Sequence, residues 1–100
     1  MANKLNNEEK KNFISEQTKN GWQYIKENDS IYKKFEFKNF VDAFSWMTKV
    51  ALFAEKINHH PEWFNVYKIV EVTLKTHDVN SLSDLDKKLS EKMDIFLLNN

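Results

Sequence analysis

Residues 39–77 read NFVDAFSWMTKVALFAEKINHHPEWFNVYKIVEVTLKTH, and the spacing of their apolar positions changes halfway along. From Asn39, a good N-cap residue, Phe40, Phe44, Met47, Ala51 and Ala54 recur at steps of four and three, which predicts a helix. Pro61 holds His60 extended and cannot itself continue a helical ladder, so the helix ends near Asn58. Beyond it, Trp63, Phe64, Val66 and Tyr67 open a strand. Val70, Val72, Leu74 and Thr76 then alternate with Glu71, Thr73, Lys75 and His77, the clearest period-two signal in the chain and a second strand.

The helix carries a second stripe, Trp46, Val50, Phe53 and Ile57, about 100° around the cylinder from the first. One buried face does not need both. Either the helix is sunk in its own core, or one stripe covers a sheet and the other meets a second subunit. A chain this small has few elements with which to cover a helix on two sides, which favours a homo-oligomer formed through the 39–57 helix, the sheet edge, or both.

Outward from this stretch, residues 6–19 combine helix formers with a sparse inward set, Phe13, Ile14 and Thr18, before Asn20-Gly21 supplies a stop. Trp22, Tyr24, Ile31, Tyr32, Phe35 and Phe37 flank the polar break Glu27 to Ser30 and read as a β-hairpin. Near the other end Ser83 caps a helix with Asp84 and Asp86 in its first turn, where they suit the macrodipole, and Leu85, Leu89, Met93 and Phe96 as its stripe. Helices mixed with antiparallel strands, without βαβ alternation, predict an α+β fold: a four-stranded antiparallel sheet with about three helices on one face. We read residues 1–100 as one domain, 1–20 being its polar N-terminal segment and helix.

Fifteen Lys, no Arg and 15 acidic residues give a formal net charge of zero, which argues against direct binding of nucleic acid. Without Cys there is neither a disulfide framework nor thiol chemistry. The longest apolar run, Val50 to Ala54, cannot span a bilayer, and the start MANKLNNEEKKN offers no apolar signal core, so a cytoplasmic protein is expected. One glycine cannot build a phosphate-cradling loop, and no nucleophile elbow is present.

The three histidines fall in two places: His59-His60 at the end of the long helix and His77 at the end of the last strand. Imidazole exchanges protons near neutrality with little adjustment, and two adjacent rings carry four nitrogens that need partners when buried. Structural or capping roles, acid–base catalysis and metal binding all stand as readings. Consecutive residues entering an extended segment point apart, which disfavours a metal, and no same-face His pair occurs. Glu55, Glu62 and Asp78 are the carboxylates near enough in sequence to orient an imidazole or accept from a ligand's amide-like edge.

The run AEKINHHPEWFNVY (Ala54 to Tyr67), followed by TLKTHD (Thr73 to Asp78), resembles the pterin-4a-carbinolamine dehydratase family. His-His-Pro-x-Trp with Thr-His at strand spacing is a long compound motif, and weaker similarity runs from Gly21-Trp22 through Phe35, Phe37 and Phe40 to the last helix. The chain departs from the family at Val79-Asn80-Ser81, which stands where a glycine-containing turn is usual; Asn tolerates the left-handed backbone such a turn requires.

The resemblance implies dehydration of a 4a-hydroxytetrahydropterin to the quinonoid dihydropterin, with the pterin as substrate and no cofactor or metal. It implies three essential histidines, His59, His60 and His77, with Asn58 and the segment Lys75, Thr76, His77, Asp78 around the substrate. On this reading His59 and His77 exchange protons with N5 and the 4a-oxygen while His60 orients the ring. Glu55 and Asp78 would hold the pterin's amide edge or an imidazole, and Pro61 and Trp63 would shape the pocket. Family members form dimers or tetramers, and some also serve as a dimerisation cofactor for a homeodomain transcription factor. The alternative is therefore a non-catalytic oligomerisation module or coactivator, with a nuclear location, working through the two-striped helix.

Overall fold

The computed structural model describes residues 2–98. Helix α1 (Asn7–Lys19) starts on a capping box, in which the Asn6 side chain accepts from the Glu9 amide at 2.8 Å and the Glu9 carboxylate accepts from the Asn6 amide at 2.9 Å. It ends at Asn20, and Gly21, at φ +94°, turns the chain into β1 (Gln23–Ile25) and β2 (Ser30–Glu36). Helix α2 (Phe40–Ile57) is capped by Asn39, whose side chain accepts from the Asp42 amide at 2.8 Å. Strands β3 (Glu62–Val66) and β4 (Ile69–Leu74) form the second hairpin, and α3 (Asp84–Leu98) closes the chain. The strands lie in the order β1-β2-β4-β3, every pair antiparallel, giving the expected α+β architecture.

Register places Ile31 opposite Leu74 and Phe35 opposite Val70, so the inward residues of β2 and β4 present one apolar face to the helices. Trp46 of α2 is fully buried there, 4.4 Å from the Phe35 ring centroid and 5.2 Å from that of Phe37. Its indole N–H would cost free energy if left unpaired, and it donates to the Met93 carbonyl at 3.0 Å, tying α2 to α3. Of the two stripes on α2, Trp46 and Val50 form the buried one, joined by Ala43 and Ala54 and flanked by half-buried Phe53 and Ile57. Phe40 and Phe44 of the other stripe are 48% and 56% exposed, beside Val41 and Leu52.

One sequence expectation is corrected near the C-terminal end of β4. The strand stops at Leu74 instead of running through Thr76, because the Thr76 backbone pairs back on Ser81 within its own loop. His77 therefore opens a 3-10 turn, His77–Val79, instead of ending a strand. Asn80 follows at φ 49°, ψ 42°, so the glycine-less turn closes through the left-handed conformation that Asn tolerates. Asp86 stands in the first turn of α3, as expected. Its carboxylate is fully buried.

Candidate active site

The end of α2 decides where its histidines point. Asn58 takes the left-handed conformation, φ 53°, ψ 46°, and the His59 amide donates back to the Ala54 carbonyl at 3.0 Å. This reversal turns His59 inward and leaves His60 outward, the divergence expected of consecutive residues. His59 is 8% exposed, and its Nε2 lies 2.7 Å from Asp86 Oδ1. His60 is exposed, with Nε2 2.6 Å from Glu55 Oε1. His77, carried by the 3-10 turn, places its Nε2 3.2 Å from Glu62 Oε2. Each imidazole is thus engaged at Nε2 by a different carboxylate.

Asp86 is the hub. Its Oδ2 accepts from the Thr76 hydroxyl at 2.7 Å and from the Ser83 amide at 2.9 Å, while Oδ1 faces His59. The Thr76 and Ser83 hydroxyls are 2.5 Å apart, and the Ser83 hydroxyl accepts from the Leu85 amide at 3.2 Å. A fully buried carboxylate is tolerated only when so thoroughly bonded, and this one joins the end of α2, the end of β4 and the start of α3 at one point. Two residues earlier, burial alone would raise the Asp84 carboxyl, but hydrogen bonds from the Asn3 backbone and side chain hold it below the usual carboxylate range.

A cavity of about 240 Å³ is lined by Asn58, His59, His60, Lys75, Thr76, His77 and Asp78, so the structure brings the three imidazoles to one space. An adjoining cavity of about 430 Å³ shares Asn58, His59, Thr76 and Asp78 and adds the apolar walls Ile57, Val79 and Leu85. Glu55 reaches the site only through His60. Pro61 and Trp63 line neither cavity; Trp63 packs toward the core, 6.4 Å from the Trp46 ring centroid. A larger cavity, about 480 Å³ beside Leu5, Phe13 and Gln17, contains no histidine, so size alone does not locate the chemistry. Among the described residues no three His, Asp or Glu side chains are grouped to hold a metal ion.

Sequence reading named neither Asp86 nor Ser83 as site residues. A signal was there: Asp86, Leu89, Ser90 and Met93 share the helical spacing of a buried face, and all four are buried. Asp86 also stands three residues after Ser83, in the position of a capping-box acid.

An antiparallel sheet with helices on one face, and three imidazoles lining one cavity where the end of α2 meets the turn after β4, define a small α+β fold with a histidine-lined site. The chain belongs to the pterin 4 alpha carbinolamine dehydratase family, whose sequence profile matches residues 3–96. It is 53% identical over 94 residues to a protein of Jannaschia sp. (strain CCS1), a match covering 94% of this chain and 96% of that one. To a Roseobacter denitrificans protein it is 54% identical over 94 residues, with the same coverage of 94% and 96%. Both relatives bear the name "Putative pterin-4-alpha-carbinolamine dehydratase". A crystal structure of a transcriptional coactivator/pterin dehydratase from Brucella melitensis superposes with a TM-score of 0.85 at 41% identity, covering 94% of this chain and 98% of that one. A pterin dehydratase-like RuBisCO assembly factor of the alpha-carboxysome shares the fold alone, at TM-score 0.66 and 16% identity over 76% of this chain and 88% of that one.

Proposed function

We propose that this chain is a dehydratase that removes water from a 4a-hydroxytetrahydropterin, giving the quinonoid dihydropterin, by histidine acid–base catalysis. The observation that carries the reading is the convergence of His59, His60 and His77 on one cavity, each held at Nε2 by its own carboxylate. Loss of water across C4a–N5 requires one proton delivered to the departing hydroxyl and one withdrawn from N5. A carboxylate at Nε2 keeps the proton on that nitrogen, so Nδ1 is the basic position of the neutral ring and the acidic one of the charged ring. His59 and His77 exchange protons with the substrate, His60 orients it, and Asn58, Thr76 and Asp78 offer polar contacts at the pterin's amide edge. Assistance of this kind is worth about 10²–10⁴-fold in rate. The pterin is the substrate, and the proposal calls on no cofactor or metal; a cytoplasmic location belongs to the same reading.

The test is a coupled assay with chemically generated 4a-hydroxytetrahydropterin, comparing the intact chain with the triple variant His59→Ala, His60→Ala, His77→Ala. Acceleration by the former and the uncatalysed rate with the latter are expected; equal rates would retire the proposal.

One observation favours a second role. Phe40, Val41, Phe44 and Leu52 leave an apolar strip 48–70% exposed along α2, opposite its buried face. We assign this strip to self-association into a dimer or tetramer; partner helices of another protein, as in a coactivator, are the alternative occupant. Light scattering of the chain and of a Phe44→Lys, Leu52→Lys variant decides: a shift to monomer is expected, and an unchanged mass would place the interface elsewhere.

A further inference from the structure

Away from the histidines, four segments of the chain meet at one carboxylate. Asp29, in the turn between β1 and β2, accepts from the Tyr24 hydroxyl, the Ser81 hydroxyl, the Lys10 ammonium at 2.9 Å and the Leu82 amide at 3.3 Å. Burial alone would raise this carboxyl, but those hydrogen bonds, led by Ser81 and Tyr24, hold it well below the usual carboxylate range. The same carboxylate pushes the Tyr24 hydroxyl up to about 12, so Tyr24 stays a donor throughout the physiological range.

Ser81 is the far end of the loop that carries His77. It is 2% exposed, and its backbone exchanges two hydrogen bonds with Thr76, at 3.0 and 3.3 Å, closing residues 77–80 into a small ring. Within it, the Val79 amide donates to the Thr76 carbonyl at 3.3 Å and the Asn80 amide to the His77 carbonyl at 3.1 Å, while Asp86 holds Thr76 on one side of the base and Asp29 holds Ser81 on the other. His77, Asp78 and Asn80 are exposed, and the His77 side chain's bond to Glu62 lies at the surface. A surface loop with few buried contacts opens locally at low cost unless its base is tied.

We propose that Asp29 is a positioning residue for His77: by gripping Ser81 and Leu82 it fixes the base of the loop that presents the imidazole to the cavity shared with His59 and His60. Its kinetic consequence rests on the dehydratase reading; its structural consequence does not. The grip runs from the β1–β2 turn to the loop before α3 and takes hold of Ser81, the residue after the left-handed Asn80 that closes the turn.

The experiment uses the full chain with Ser81→Ala, which removes one donor, and Asp29→Asn, which keeps the shape and removes the charge. Amide hydrogen exchange, the NMR line shape of the His77 ring and turnover are followed together. Exchange at Thr76 and Ser81 is expected to quicken about 10-fold while Val70 and Val72 in β4 hold their protection. The His77 resonances are expected to broaden with those of His59 unmoved, and kcat to fall roughly 10-fold with KM within about twofold, since small misplacements of a reacting group cost rate more than binding. Unchanged loop exchange and unchanged His77 signals in both variants would overturn the clamp, as would equal acceleration in β4, which marks plain destabilisation. An inactive wild-type chain would retire the dehydratase reading, while exchange and the His77 signals would still decide on the clamp.

Discussion

Asp86 is the side chain whose loss is expected to separate fold from chemistry most cleanly. Asp86→Asn keeps its size, but an amide nitrogen facing His59 Nε2 would donate where the carboxylate accepts, so the imidazole is driven to the other tautomer. Turnover is expected to fall about 10–100-fold, the usual effect of disturbing a residue that orients a functional ligand, with the ¹⁵N shifts of His59 reporting the tautomer change. Wild-type turnover with an unchanged His59 spectrum would show that the carboxylate is only structural. The imidazoles were legible in the sequence because His-His-Pro and Thr-His put rare side chains at a chain reversal and just beyond a strand. Asp86 was not, because an acid in the first turn of a helix is ordinarily solvated; only folding β4 against the start of α3 reveals Thr76 and Ser83 as its partners. Trp63 shows the converse: beside the histidines in sequence, it faces the core because its strand pairs it with Val72.

The elements depend on a few residues in left-handed backbone. Asn58, which ends α2 and aims His59, sits at φ 53°; a Cβ-bearing residue without a helpful side chain is disfavoured there by about 1–2 kcal/mol. Asn58→Ala is expected to lower stability by about 1 kcal/mol and Asn58→Gly to leave it within about 0.5 kcal/mol, read from urea midpoints. Tyr67, 60% exposed at the tip of the β3–β4 hairpin, holds φ 53° with a bulky side chain. Tyr67→Asn should relieve strain and raise the thermal midpoint by about 4–8 °C per kcal/mol recovered. A lowered midpoint would mean that the ring's packing outweighs the strain. Helix and strand periods revealed nearly every element here, since Asn39, Asn58 and Pro61 are strong stops. They failed at Thr76, where the alternation continues by residue type although the backbone has already turned back to Ser81.

Across the whole molecule, charge at Asp29 couples α1, the first hairpin and the loop before α3, which predicts a pH dependence for the fold. Its carboxyl is held below the unfolded value of about 3.9, so its contribution is complete above that value and disappears as pH falls toward the folded one. Asp84, lowered by its bonds to Asn3, erodes with the same sign. Tyr24 acts at the other end. Raised to about 12 by its bond to Asp29, it contributes fully below the unfolded value of about 10, and that stability is lost as pH rises from there toward 12. Stability is therefore expected to be flat with respect to these groups between about pH 5 and 9 and to fall on both sides. In urea titrations, Asp29→Asn should be the less stable chain at pH 7 and should approach the wild type as pH drops below about 4, where protonation removes from the wild type what the substitution has already removed. Tyr24→Phe should approach it instead above about pH 10. Curves that stay parallel through both limbs would mean that the Asp29 cluster does not set the pH range, and that the acid limb belongs to carboxylates elsewhere in the chain.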